Sequence, residues 1–302
     1  MKVNGAIIKK LRKEAKISQK ALAEKMFVSE KQFSRYETGE SEMSLWVYFS
    51  FMEAIGMPSE NYWVLYMDSN EYNDYLKYKK LRRLLRDSKY KEIAKLLPEF
   101  KKTHLSNEKF IKQFIDYLEV LCNEQSDSLT ALNRLFDIIC QSIPSFDEAK
   151  IDTYRMTYNE LCIVSSICDL LFNINEDERA LSILLKILDG RKKMRTSEDD
   201  IPVIFPPIMC QASNNLGRIG KIDEALTIAE EGLKIALEYN NIRCVPALLY
   251  IIACCKDLKN EPKEEIKGLL LQAYWGAKMC ENLAFAETIK KDAKESFNIF
   301  VD

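Results

Sequence analysis

Residues 18–38 read Ser-Gln-Lys-Ala-Leu-Ala-Glu-Lys-Met-Phe-Val-Ser-Glu-Lys-Gln-Phe-Ser-Arg-Tyr-Glu-Thr, and no other stretch limits the fold as much. Ser18 and Ser29 each stand where a helix begins, so that a side-chain oxygen can accept from an orphan backbone N–H. After Ser18, Leu22 and Ala23 form an apolar face opposite Gln19 and Lys20. After Ser29, Phe33 and Tyr36 point one way, and Glu30, Lys31, Gln32, Ser34 and Arg35 can point the other. Two short amphipathic helices this close in sequence must be joined by a tight turn and must share a small core. The rest of the chain favours the same structural class. Gly (9) and Pro (8) are scarce in 302 residues, and straight-chain residues dominate. The expected fold is therefore all-α.

Composition excludes several other classes. Hydrophobic residues make up 47% of the chain, too many for a disordered protein. No uninterrupted apolar run approaches the roughly 20 residues of a membrane span. Met1-Lys2-Val3-Asn4-Gly5 leads directly into a charged helix with no secretory signal, so a cytoplasmic protein is expected. The net charge of −2 is unevenly spread: residues 1–41 hold ten Lys/Arg against five acids, a balance of +5, and the remainder carries −7. A basic head on an acidic body suits a head that meets phosphate.

Nine Cys occur, all beyond residue 121 and none in a Cys-x-x-Cys pair. Most have apolar neighbours, as in Leu121-Cys122 and Ile167-Cys168, so they read as buried free thiols. His104 is the single His, so zinc sites built on several His are excluded. No motif pairs a nucleophile with a base or cradles a phosphate; no catalytic residue, metal or cofactor is expected.

The head divides into four helices. The first spans about Asn4 to Glu14, with Ile7, Ile8 and Leu11 on one face. Ser44 opens a fourth, apolar helix that Gly56 and Pro58 stop. The run Leu11-Arg12-Lys13, Ile17-Ser18-Gln19, Leu22-Ala23, Val28-Ser29 and Phe33-Ser34-Arg35-Tyr36-Glu37-Thr38-Gly39-Glu40 resembles the Cro/repressor-type (XRE) helix-turn-helix over about 55 residues. The resemblance implies a structural pair between Arg12 and Glu37. It also implies that the second of the two short helices enters the DNA major groove. Gln32 and Arg35 are then the candidates to read base edges, since Gln suits adenine and Arg suits guanine. Lys31 can reach base or phosphate, and Gln19 and Lys20 lie where a phosphate would sit. One position departs from the pattern. Phe27 occupies the turn site usually held by Gly, where a positive φ would cost about 1 kcal/mol, so a differently shaped turn is expected.

Beyond a linker helix over Glu60–Met67, a break at Asp68-Ser69-Asn70 and a helix opening at Glu71, helical segments come in pairs. In the clearest unit, Gly220, Ala225 and Gly232 are spaced like the small residues at helix crossings in a tetratricopeptide (TPR) repeat. Positions 93, 131, 180, 225 and 266 read as equivalents, at intervals of 38, 49, 45 and 41. These intervals exceed the TPR period of about 34 residues, so the expectation is a TPR-like α-solenoid with longer helices or looser turns, of five helix pairs plus a capping helix near Ala284–Phe300. Such a stack offers a concave face suited to an extended peptide, whose backbone Asn can satisfy as both donor and acceptor. Gln211, Asn214 and Arg218 share one helical stripe, and Arg155, Tyr158, Asn159 and Cys162 suggest another one repeat earlier. The candidate peptide contacts are Arg155, Asn159, Gln211, Asn214 and Arg218.

The expected organisation is a DNA-binding head with its linker helix over residues 1–66, followed by a repeat domain over 67–302. An XRE head on such a body resembles the RNPP group of peptide-responsive regulators, and residues 33–44 lean toward its Rgg branch. The resemblance implies a cytoplasmic homodimer, joined through its repeats, that binds a short signalling peptide. Peptide binding would set head spacing on a palindromic double-stranded operator, as in quorum sensing. The alternative is a TPR-like scaffold or regulator that binds a protein partner rather than a peptide.

Overall fold

The computed structural model describes residues 4–57, 64–123, 127–191 and 201–301, and these are helical with no strand among them. The chain forms two compact units, residues 1–118 and 119–302.

In the first unit, α1 (Gly5–Glu14), α2 (Gln19–Lys25), α3 (Glu30–Thr38) and α4 (Leu45–Ala54) enclose a core built on Ile7, Ile8, Leu11, Leu22, Phe33, Phe51 and Met52. The expected caps are present. Ser18 Oγ accepts from the Ala21 N–H and Ser29 Oγ from the Gln32 N–H, both at 3.1 Å. Ser44 stands at the α4 N-cap without a side-chain cap bond. Glu37 is the polar centre of the head. Its buried carboxylate accepts from Arg12 Nε at 2.6 Å and from Gln19 Nε2 at 2.5 Å, while Arg12 Nη1 donates to the Ile17 carbonyl. One carboxylate thus holds α1, α2 and α3 in register, and loss of a partner would strand a buried charge.

The turn at Phe27 keeps the left-handed conformation, φ +56°, and is not reshaped. Its hydrogen bonds give the reason. The Phe27 N–H donates to the Glu24 carbonyl and the Val28 N–H to the Ala23 carbonyl, the paired closure that requires a left-handed residue after a helix end. The aromatic ring is 95% exposed.

Residues 58–63, which hold the first half of the expected linker helix, lie outside the described residues. The part that follows is not α-helical: 64–66 form a 3-10 turn whose Val64 and Leu65 are fully buried in the head core. Helix α5 (Ser69–Arg86) opens two residues earlier than expected, because Asp68 and Glu71 form a capping box. Its Tyr72 also joins the head core, and Lys10 Nζ donates to Asn73 Oδ1 at 2.6 Å. Tyr78 of α5 then packs on Phe100 of α6 (Tyr90–Phe100) and edge-on against Phe114 of α7 (Lys109–Cys122).

The second unit begins within α7 and continues through α8 (Ser128–Cys140), α9 (Tyr158–Asn173), α10 (Asp177–Gly190), α11 (Ile201–Arg218), α12 (Ile222–Glu238), α13 (Val245–Leu258), α14 (Lys263–Met279) and α15 (Leu283–Glu295). Along the chain the helices follow the expected order of five pairs, α5/α6, α7/α8, α9/α10, α11/α12 and α13/α14, with α15 in the place of the capping helix, and α5/α6, α9/α10, α11/α12 and α13/α14 pack within the pair. From α8 to α15 each helix packs on the next, and α11 also packs on α9 and α13, the first helices of the adjacent pairs. The equivalent positions Ile93, Ala131, Ala180, Ala225 and Ile266 are buried near the starts of α6, α8, α10, α12 and α14.

The two glycines of the clearest repeat do different work. Gly232 lies at a helix crossing: a Cβ there would come within 3.0 Å of Met209 Cβ and 3.1 Å of Leu248 Cδ2. Gly220 has open space around it and is instead the left-handed residue of the turn, φ +84°.

Candidate functional site

Two surfaces hold polar groups that have no partner among the described residues. The first is the outward face of α3. Its Lys31 and Arg35 are exposed and Gln32 is half-buried, and none of these side chains bonds to a described residue. Lys20 on α2 is likewise exposed and bonds to no described residue. The donors of all four are thus open to solvent. Gln19 differs, because its amide is committed to Glu37 and braces α2 against α3. Side chains at i, i+1 and i+4 of one short helix, capped by Ser29, make a compact donor-rich face of the size that enters a major groove.

The second surface is a cleft of about 550 Å³ within the second unit. The first helices of successive pairs build it. Helix α9 contributes Asp169, Phe172 and Asn173; α11 contributes Cys210, Gln211, Asn214, Asn215 and Arg218. Ala247, Tyr250 and Ile251 of α13 and Phe285 of α15 complete the wall. Three of the five candidate peptide contacts thus lie together.

Gln211 is held on two sides, accepting from Ser165 Oγ at 3.0 Å and donating to Asp169 Oδ1 at 2.5 Å. Asn214 and Arg218 are exposed in the cleft and bond to no described residue. Asn215 is buried and donates to the Gln211 carbonyl at 2.7 Å, so its amide serves the helix.

The other two candidates lie apart from the cleft. Arg155 precedes the Thr157 N-cap and is therefore off helix α9, so the expected stripe from Arg155 to Cys162 does not exist as one helical face. Asn159 is buried in the first turn of α9.

The walls also tune the ionisable groups. Asp169 remains open to solvent, but the concave protein surface around it raises its carboxyl to about 6, against the opposing hydrogen bond from Gln211. Tyr250 donates to Asp292 Oδ2 at 2.6 Å and packs edge-on against Phe285; its phenol is pushed up by burial and then by that bond. Cys210 pairs with Cys244, and its thiol is pushed well above the usual range by that hydrogen bond and by burial. All nine Cys are free thiols, as expected, but only Cys168 and Cys255 are fully buried and Cys140 is exposed.

Asp169, Phe172, Tyr250 and Phe285 were not among the sequence candidates. They reach the cleft from three helices whose mutual register is set by packing, and no local pattern marks them. Among the described residues, no group of three or more His, Cys, Asp or Glu is placed to hold a metal ion. No helix of the described residues is long and apolar enough to cross a membrane.

The fold is thus a helix-turn-helix domain joined to stacked helical pairs that carry a polar cleft. Residues 8–56 match the Helix-turn-helix family model. Over nearly its full length the chain also shares its fold with solved structures. The structure of Bacillus thuringiensis PlcR in complex with the peptide PapR7 and DNA aligns with a TM-score of 0.66 at 18% identity, covering 94% of this chain and 98% of that one. That of ComR from S. thermophilus, in complex with DNA and its signalling peptide ComS, aligns at 0.56 and 15% identity, covering 95% and 97%. The Rgg2 SHP pheromone receptor of Streptococcus dysgalactiae aligns at 0.52 and 16% identity, covering 97% and 98%. These identities make the likeness one of fold. No curated protein matches the chain by sequence.

Proposed function

We propose that the chain is a cytoplasmic transcriptional regulator of the quorum-sensing type. Its head, within residues 1–66, binds double-stranded DNA, and its repeat domain, over 67–302, binds a short signalling peptide. The observation that carries the reading is the cleft, where Asn214 and Arg218 bond to no described residue and stand beside an apolar wall, in a fold like that of PlcR solved with a peptide and DNA.

Each half has a chemical role. Arg35 and Gln32 read base edges, and Lys31 and Lys20 neutralise phosphates, while Gln19 acts mainly by holding α2 in place. In the cleft, Asn214 and Gln211 satisfy the peptide backbone and Arg218 meets a carboxylate. Arg155 and Asn159, which do not line the cleft, act only if an elongated peptide runs past it along α9. The active species is a homodimer on a palindromic operator, whose half-sites are spaced about one DNA turn (~34 Å) or a multiple apart. Peptide binding selects the arrangement in which the heads match that spacing.

The DNA half is tested by selecting duplexes from a random pool with the full chain, then measuring affinity for the winner. Arg35→Ala is expected to cost about 1–3 kcal/mol and to relax the sequence preference at one position. Affinity of wild type that does not change with salt would contradict DNA binding, because phosphate contacts release counterions, and would favour a scaffold that grips a protein.

A further inference from the structure

The cleft carries one charge of each sign, and neither has a counter-charge among the described residues. Asp169 accepts only from the neutral amide of Gln211, and Arg218 makes no ion pair. Both line the same cavity.

The spacing of the two α11 positions that mark the poles follows from helix geometry. Asp169 is bonded to Gln211, and Arg218 lies seven residues further along α11, about 10 Å at 1.5 Å per residue. An extended peptide advances about 3.3–3.4 Å per residue, so that distance equals about three residue steps. Asn214 lies between the poles with its amide unengaged, at the place where the backbone of a central peptide residue would pass. Phe172, Ile251 and Phe285 supply apolar surface for the side chains between the charged ends.

We propose that the cleft selects a dipolar peptide, with a cationic group at Asp169 and a carboxylate at Arg218 about three residues away. The cation is a Lys or Arg side chain or the N-terminal ammonium; the carboxylate is an Asp or Glu side chain or the C-terminus. The inference rests on the cleft being the peptide site.

The Asp169–Gln211–Ser165 chain makes the first pole specific. Ser165 donates to the Gln211 carbonyl oxygen, which turns the Gln211 amide nitrogen toward Asp169 and favours an ionised acceptor there. Concave walls deny that carboxylate part of its hydration, and a cation from the ligand restores what the walls remove. At the other pole, the guanidinium can hold a carboxylate through two parallel N–H donors.

The test uses the full chain and a soluble library of random heptapeptides with free termini, with captured peptides read by mass spectrometry. Wild type is expected to enrich, on the order of tenfold, peptides whose cation and carboxylate lie three positions apart in one constant order, the preference of a charge pair worth about 1.4 kcal/mol. Asp169→Asn should lose the cation preference and keep the carboxylate preference. The double variant Asp169→Lys, Arg218→Glu should enrich the reverse order.

Asn214→Trp, a substitution at an exposed position, fills the cleft and should abolish capture. Peptides that depend on an open position 214 but show no charge spacing, or keep it in Asp169→Asn and Arg218→Ala, would overturn the dipolar inference alone. No capture by folded wild type would remove the peptide site and the inference together.

Discussion

Phe27 pairs two costs in one residue: a left-handed backbone and a nearly fully exposed aromatic ring. The ring packs on nothing that offsets the strain. Phe27→Gly is therefore expected to stabilise the protein by up to about 0.5 kcal/mol, the left-handed penalty less the entropy that Gly loses on folding. Denaturant unfolding measures this, and a lower midpoint would show that the ring contributes to the folded head. Asp169 makes the opposite kind of prediction, one that depends on pH. Its folded value is raised to about 6 from 3.8, so between those values the folded state binds more protons than the unfolded chain. Stability from this group is present at low pH and is lost as pH rises through about 4 to 6. In Asp169→Asn that slope should vanish from a series of melts, and an unchanged slope would assign it to another group. At this scale the sequence was informative where a residue acts within its own helix or at a fixed motif offset, as for Ser18, Ser29 and the Arg12–Glu37 pair. It was silent on Asp169, because nothing near position 169 reveals that Gln211 lies beside it.

The elements owe their regularity to one way of ending helices. The turns after α5, α9, α11, α12, α13 and α14 each place a left-handed residue, respectively Ser88, Asn175, Gly220, Asn240, Asn260 and Glu281. At each, the next residue's N–H reaches back five positions, as from Lys221 to the Leu216 carbonyl and from Glu176 to the Leu171 carbonyl. This closure satisfies carbonyls that would otherwise be orphaned, and it fixes the angle at which the following helix returns. The buried equivalent positions fall five residues after the left-handed one at 93, 180 and 225, and six after it at 266, where Glu261-Pro262 adds a residue. Helix pairing was therefore legible from spacing. The closure was not, because Ser, Asn, Gly and Glu all occupy the same site and only one is a glycine. Crossing points are less forgiving than turns. Gly232→Leu would push a side chain into Met209 and Leu248 and should cost about 1–3 kcal/mol. Gly268→Ala on α14, where a Cβ meets nothing within 4 Å, should instead stabilise by about 0.5–1 kcal/mol. Equal effects of the two would mean that α12 does not approach its neighbours closely.

For the whole molecule, the proposed function makes the head's unengaged donors on α3 and the repeat unit's cleft two ligand sites in one chain. In the proposed regulator they are coupled, and the coupling is a free energy that must act equally in both directions. A coupling of about 1–3 kcal/mol changes DNA affinity roughly 5- to 150-fold, and DNA must change peptide affinity by the same factor. The five-pair architecture and the head were readable from the chain alone; the cleft had to await the packing of α9, α11, α13 and α15. The measurement that bears most directly on the account is the affinity of the full chain for its selected duplex, at fixed salt, with and without a saturating captured peptide. A change of at least about fivefold, matched by an equal change in peptide affinity when DNA is present, is the expected result. Identical DNA affinity in both states, with the peptide shown to be bound, would contradict it.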